Sequence, residues 1–304
     1  MQSEHEQVMA QTPAGSTGGG AMGGQTAGSV ARHTGVALAG NLLNQACFLV
    51  ATVFIARELG RAQFGIYSSA MAIAIILSTV ASGGLDVILV REISRAPENA
   101  GTYVGSAILL KAGLALVVLL GLAGIGSLAG VAPPLRRALW IATLANLARI
   151  HERSCVSVFR AMGNMASEGA VLALQGALYA LTLIVAVAWI RDAGDAFLAL
   201  LGSYLVSLSV GVVLMLHLGV RPRLTGALSA GRFLGREALP VGVAAVLAYL
   251  YERLPILALQ VFRGASEVAL FSGAFGLVRN TGVVPLVLSG AALPVLSRLA
   301  PHAR

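Results

Sequence analysis

The chain has 304 residues, of which 57% are hydrophobic and only 11% charged, and its net charge is +8 at pH 7. A soluble domain carries about 25% charged residues, so this composition excludes a globular protein that faces water on all sides. The basic residues are spread through loops and helices, without a basic tail or a basic patch interleaved with aromatic residues, which argues against nucleic-acid binding. We therefore expect a multi-pass membrane protein.

The chain begins with a polar segment and continues as a series of apolar ones. Residues 1–33 are predicted as a disordered cytoplasmic tail, because "PAGSTGGGAMGGQTAGS" is rich in small polar residues and lacks the apolar run of a cleavable signal. A helix crosses a bilayer with about 20 apolar residues, and segments of that kind follow. The sequence predicts eight helices, at 36–56, 64–90, 104–130, 137–161, 168–190, 196–218, 238–262 and 267–299.

The longest loop, "GVRPRLTGALSAGRFLGRE", is basic and suggests a boundary between two halves. We predict an N-terminal six-helix lobe at 34–219, a cytoplasmic basic connector at 220–237, and the first two helices of a second lobe at 238–304. More arginines lie in the loops that are cytoplasmic when the N-terminus is inside, which favours that orientation.

An internal repeat supports the two halves. The stretch "LGRAQFGIYSSAMAI" at 59–73 returns as "RGASEVALFSGAFGL" at 263–277, where Gly60 aligns with Gly264. Six predicted helices separate the copies, so the repeat is parallel, as in transporters that bind substrate between two lobes. Few positions are identical, and a chance match is the alternative. A second half as long as the first would extend beyond residue 304, so we expect a C-terminally truncated chain or a fragment.

Several arginines lie inside predicted spans. In "LWIATLANLARIHERSCVSVFRAM", Arg149, Arg153 and Arg160 fall on one helix face, and Asn146 lies one turn before Arg149. Each arginine at the bilayer centre costs about 2.5–3.5 kcal/mol, so we expect these residues to face a watery cavity. Guanidinium groups suit phosphate oxygens. The predicted site for a phosphate or pyrophosphate consists of Asn146, Arg149, Arg153, Arg253 and Arg279.

Two alternatives remain for these charges. Arg149 can pair with Glu152 and Arg253 with Glu252, while Arg160 can extend to the membrane surface. The carboxylates have a second interpretation, because intramembrane acids commonly relay ions. The residues predicted for gating or ion coupling are Arg57, Asp86, Arg91, Glu92, Glu152 and Glu252.

The sequence offers little for catalysis. It contains no paired carboxylates, HExxH motif or nucleotide-sugar motif, and the predicted outside loops are short. We predict no catalytic residue, no metal site, no cofactor and no enzymatic activity.

The sequence resembles a known family in stretches that cover about residues 34–300. These stretches are "ARELGRAQFGIYSSAMAI", "GLDVILVREISRAPENAG", "VFRAMGN", "GREALPVGVAAVLAYLYERLPILAL" and "GASEVALFSGAFGLVRNTGVVPLVLSGAALPVLSRLA". They resemble the polysaccharide and lipid-linked oligosaccharide flippases, including O-antigen flippases, of the MATE-like exporter superfamily. The resemblance implies an all-α membrane fold of 12–14 helices in two lobes around a cationic cavity, of which about eight are present here. Arg57, Arg91, Glu92 and Arg279 lie in the matching stretches, where it implies cavity or gating charges.

The resemblance also implies a function. It predicts transport of an undecaprenyl-pyrophosphate-linked oligosaccharide across the cytoplasmic (inner) membrane by alternating access, for O-antigen, capsule or exopolysaccharide synthesis. Membrane lipid is an expected partner, and a polysaccharide polymerase or ligase is a candidate one. The alternatives are a MATE-type drug or cation antiporter, a membrane-embedded polymerase or glycosyltransferase, and an inactive fragment. The surplus of arginines argues against a cationic drug.

Overall fold

The computed structural model describes residues 27–128, 132–185 and 189–281. This part of the chain is helical throughout and contains no strand, which confirms the all-α class. Its α-helices are α1 Ala27–Glu58, α2 Gly60–Ser82, α3 Leu85–Arg95, α4 Ala100–Leu128, α5 Pro133–Ala161, α6 Met165–Val185, α7 Ala193–His217, α8 Ala227–Phe262 and α9 Ala265–Thr281. A 3-10 turn at Pro97–Asn99 joins α3 to α4.

Most of these helices are built to cross a membrane. Six helical segments of the described residues are long and apolar enough to do so, and one of them comprises both α2 and α3. Helix α5 is 29 residues long but is not among the six, because charged residues recur along it. It packs instead against α2, α3, α4, α6 and α7 in the interior of the bundle. The chain is a multi-pass membrane protein whose most charged helix is surrounded by other helices.

The helix bounds differ from the prediction at two places that matter for the site. The predicted second span, 64–90, is broken at Gly83 and Gly84, whose φ angles of +57° and +75° are left-handed and readily adopted by glycine. Helix α8 begins at Ala227, so part of the predicted connector is helical. Residues 27–33, predicted in the tail, belong to α1. The predicted last helix lies outside the described residues beyond Thr281.

The two stretches of the predicted repeat share one local backbone feature. Helix α1 is followed by Gly60 with φ +72°, and α8 is followed by Gly264 with φ +82°, so both copies form a helix–glycine–helix turn. Helices α2 and α9, which follow these glycines, pack against each other. The contact is very close at Gly65, where a Cβ atom would lie 1.8 Å from the carbonyl oxygen of Ala265.

The core of the predicted N-terminal lobe contains a group of packed aromatic side chains. The Tyr67 and Tyr179 hydroxyls are hydrogen-bonded at 2.9 Å, and the Tyr67 ring stacks on Phe197 with centroids 4.6 Å apart. These side chains join α2, α6 and α7 and satisfy both hydroxyls away from water. Helix α2, which contributes to the candidate site, is therefore packed firmly against α6 and α7.

Candidate functional site

A cavity of about 440 Å³ lies where the break between α2 and α3 meets α5 and α8. Small-molecule sites commonly measure about 300–1,000 Å³. Helix α5 contributes Arg149, Arg153 and Arg160, and α8 contributes the Tyr249 side chain. The polar residues from α2 and α3 are Ser78, Thr79, Ser82 and Asp86.

Arg149 and Arg153 give the cavity its positive charge. The Arg149 Nε donates to Asn146 Oδ1 at 3.2 Å, and its Nη2 lies 3.5 Å from Ser78 Oγ. Asn146 is fixed in turn by its Nδ2, which donates to the Ala142 carbonyl at 2.8 Å. Within the described part of the chain, neither Arg149 nor Arg153 forms an ion pair with a carboxylate. Two guanidinium groups thus remain available to an anion.

Arg160 has a different environment. It lines the same cavity, but its Nη2 pairs with the carboxylate of Glu168 in the first turn of α6. This ion pair stabilises the end of α5 against α6. The three arginines share one face of α5, as their spacing predicted, but of the three only Arg160 forms an ion pair with a described carboxylate.

Asp86 is held in place by a lysine that the predicted site does not include. The Lys111 side chain is fully buried, and its Nζ donates to Asp86 Oδ1 at 2.5 Å, to the Ile150 carbonyl at 2.8 Å and to Ser154 Oγ at 2.8 Å. Asp86 lies in the first turn of α3 and also accepts a hydrogen bond from Ser82 Oγ at 3.1 Å. A lysine in the apolar stretch "LLKAGLAL" was the sequence signal for this pair.

A second ionic cluster joins α3 to α8. The Arg91 Nε donates to Glu92 Oε1 at 2.7 Å, and its Nη2 donates to Glu237 Oε2 at 2.9 Å. Arg95 Nη1 lies 3.6 Å from the same Glu92 oxygen. Arg91 and Glu92 are predicted gating residues, and Glu237 is a partner that sequence reasoning missed. The cluster bridges the predicted N-terminal lobe and the helix that opens the second lobe.

The remaining predicted residues lie elsewhere. Glu152 is almost fully buried, and the Ser207 hydroxyl of α7 donates to its carboxylate. Arg253 is buried in α8 with its Nη2 3.7 Å from Glu252 Oε1, the pairing expected if the two charges neutralise each other. Arg57 is exposed at the end of α1. None of these residues lines the cavity within the described part of the chain.

The side chain of Arg279, in α9, lies outside the described residues. In the part of the chain that is described, no group of three metal-binding side chains occurs.

The fold defines the class of protein. The chain is similar to a solved structure of a multidrug resistance MATE family transporter of the MOP superfamily in an outward-facing conformation, with a TM-score of 0.60 and 18% identity. It is also similar to a solved structure described as "protein A", with a TM-score of 0.62 and 16% identity. Both matches cover 85% of this chain and 61% of the other. The chain therefore has a MATE-like fold. No curated protein matches the sequence.

The sequence itself gives the family. Residues 30–300 match the family described as polysaccharide biosynthesis protein, and the chain belongs to that family. Family and fold together confirm the resemblance drawn from the sequence: the chain belongs to the polysaccharide biosynthesis family and has a MATE-like fold.

Proposed function

We propose that this protein moves an undecaprenyl-pyrophosphate-linked oligosaccharide across the cytoplasmic membrane by alternating access. The proposal depends on one observation: Arg149 and Arg153 line the cavity and form no ion pair with a carboxylate of the described residues. Arg149 is half-buried and Arg153 is exposed, and two such charges within a membrane bundle are costly unless they face water or an anion. The polysaccharide biosynthesis family supports a lipid-linked sugar as the cargo.

Pyrophosphate suits this pair of charges. A guanidinium group presents its N–H donors in a planar fork that matches phosphate oxygens, and charge-assisted hydrogen bonds of this kind are the strong ones. Arg149 is oriented by Asn146 and Ser78, so part of its conformational freedom is already lost before a ligand binds. An oligosaccharide attached to the pyrophosphate would extend into the polar remainder of the cavity.

The position of the cavity supports alternating access. Helices α2, α3 and α5 belong to the predicted first lobe, and α8 opens the predicted second lobe, so a ligand here contacts both. In the predicted orientation, with a cytoplasmic N-terminus, Arg91, Arg95 and Arg160 mark the cytoplasmic side. The cavity then lies towards the cytoplasm, where lipid-linked sugars are assembled. The Arg91–Glu237 contact between α3 and α8 has to open if the lobes separate on this side.

A reconstitution experiment tests the proposal. The full chain is placed in proteoliposomes, and the movement of a fluorescent undecaprenyl-pyrophosphate oligosaccharide between leaflets is measured. Hydrogen bonds to charged groups are worth about 1.5–3 kcal/mol, so Arg149→Ala/Arg153→Ala should slow movement by at least about tenfold. Arg136→Ala, an exposed arginine near the start of the same helix, is the matched control and should move lipid at the wild-type rate.

Other outcomes would overturn the proposal. Equal rates in the wild type and the double variant would exclude the arginines as the substrate site. A folded wild-type chain that moves no lipid would refute transport by these residues. Arginine-independent movement of a cationic dye would instead favour the drug antiporter.

A further inference from the structure

The cavity has a second set of polar groups that a pyrophosphate does not need. Asp86, Ser82 and Tyr249 line it together with the arginines. A carboxylate repels a phosphate, so Asp86 does not serve the anion. Among the residues that line this cavity it is the acidic one, and its side chain is 29% exposed. Beside Arg149 and Arg153 it gives the cavity a hydrogen-bond acceptor, which suits a ligand that has hydrogen-bond donors as well as negative charge.

Asp86 is fixed as an acceptor. Lys111 donates a hydrogen bond to its Oδ1, and Ser82 donates one to its Oδ2, so two of its acceptor positions are occupied. A carboxylate has about four acceptor positions, so it can accept two more hydrogen bonds from the cavity. Lys111 is itself anchored on α5 by the Ile150 carbonyl and by Ser154 Oγ. The carboxyl group is therefore held in a fixed orientation and is partly open to the cavity.

Tyr249 contributes a complementary surface from α8. Its side chain is half-buried at the cavity, and its hydroxyl forms no hydrogen bond with any of the described residues. A tyrosine ring presents an apolar face and a polar edge, which is the combination offered by a sugar ring with its C–H face and hydroxyl rim. Ser82 adds a hydroxyl that can rotate to donate or accept.

We propose that Asp86, Ser82 and Tyr249 form a subsite for an uncharged sugar, adjacent to the arginines that hold the pyrophosphate. This inference rests on the proposed function and specifies the substrate class further. The sugar next to the pyrophosphate donates hydroxyl or amide hydrogens to Asp86 and packs on Tyr249. A sugar with its own carboxylate is disfavoured at this position, because Asp86 repels it.

Binding measurements with paired probes test the subsite. The full chain in lipid nanodiscs is titrated with undecaprenyl pyrophosphate and with the same lipid carrying one N-acetylhexosamine. Asp86→Asn/Lys111→Met removes the carboxylate together with its partner and leaves the net charge unchanged. It should weaken binding of the sugar-bearing probe about tenfold or more and leave the sugar-free probe unaffected. Arg137→Met/Asp195→Asn also leaves the net charge unchanged. It removes the contacts of Arg137 with Asp192 and Asp195 at the start of α7, away from the cavity, and should change neither affinity.

Two further variants keep the test decisive if the double variant fails to fold. Ser82→Ala and Tyr249→Leu leave the Asp86–Lys111 pair intact, and each should weaken only the sugar-bearing probe. A probe with a hexuronic acid should bind the wild type more weakly than the neutral probe, and this difference should disappear in Asp86→Asn/Lys111→Met.

The subsite is overturned if these variants weaken both probes alike or neither. If the sugar-free probe fails to bind, or binds without Arg149 and Arg153, the proposed function fails and the subsite fails with it. If that probe depends on the arginines while the sugar makes no difference, only the subsite fails.

Discussion

The buried pair of Lys111 and Asp86 makes an asymmetric prediction about stability. Lys111 is fully buried, so Asp86→Asn would leave an ammonium group in the bundle without its counter-charge. Breaking a buried ion pair in this way costs about 3–5 kcal/mol of the free energy of unfolding. Lys111→Met leaves the Asp86 carboxylate instead, which is 29% exposed at the cavity and keeps its hydrogen bond from Ser82. We expect that variant to lose only about 1–3 kcal/mol.

The double variant of Asp86 and Lys111 completes a double-mutant cycle, which measures the coupling between the two residues. Asp86→Asn/Lys111→Met leaves no charge unpaired, so its loss should be smaller than the sum of the two single losses by at least about 1.5 kcal/mol. The free energies are measured by titrating the purified protein from mild detergent into SDS and following its helical circular dichroism. Two results would refute the reasoning: additive losses, which would mean the pair is not coupled, or a larger loss for Lys111→Met than for Asp86→Asn.

Three further predictions concern the contacts between the predicted lobes. Gly242→Ala should lower the free energy of unfolding by about 1–3 kcal/mol through overpacking, because its Cβ would lie 2.6 Å from the Gly83 carbonyl oxygen at the helix break. Gly113→Ala has open space around it and should raise the free energy of unfolding by about 1 kcal/mol. Gly65→Ala should weaken the packing of α2 on α9, measured as lower cross-linking between cysteines placed on those helices. Glu237→Arg should slow lipid movement by repelling Arg91, and the charge-swapped variant with Arg91→Glu should recover part of the rate.

Each of these three predictions would be contradicted by a specific result. Equal effects of alanine at Gly242 and Gly113 would mean that the glycine contact between α8 and the helix break is not tight. Unchanged cross-linking in Gly65→Ala would contradict the close approach of α2 and α9. A charge-swapped variant no more active than Glu237→Arg alone would exclude the α3–α8 ion pair as a gate.

The arginines of α5 show which part of the candidate site could be predicted from the sequence. Their spacing alone placed Arg149, Arg153 and Arg160 on one face, and in the folded protein all three line one cavity. That inference succeeds because the helical period is a local property. Which arginine is neutralised depends on the neighbouring helix, and the Glu168 partner of Arg160 could not be distinguished from Glu152 by position in the chain.

The helix break at the glycine pair between α2 and α3 could not be predicted from the local sequence. "SGGLD" in an apolar run is compatible with a continuous span, which was the prediction, and also with a break. The break is tied to a tertiary contact, because Gly84 lies so close to α8 that a Cβ would be 2.5 Å from the Gly242 amide nitrogen. A contact between residues so far apart in sequence leaves no periodic signal.

The sequence by itself determined the class of this protein. Its low charge and long apolar segments favour an all-helical membrane bundle, because unpaired backbone groups are too costly in lipid for any open structure. The resemblance of its family stretches adds the MATE-like fold. Only the tertiary structure decided how the charges are used. It paired Lys111 with Asp86 and Arg91 with Glu237, and it left Arg149 and Arg153 facing the cavity. The physical reason is that an ion pair depends on distance and direction across neighbouring helices, and these are set by the packing of the whole bundle.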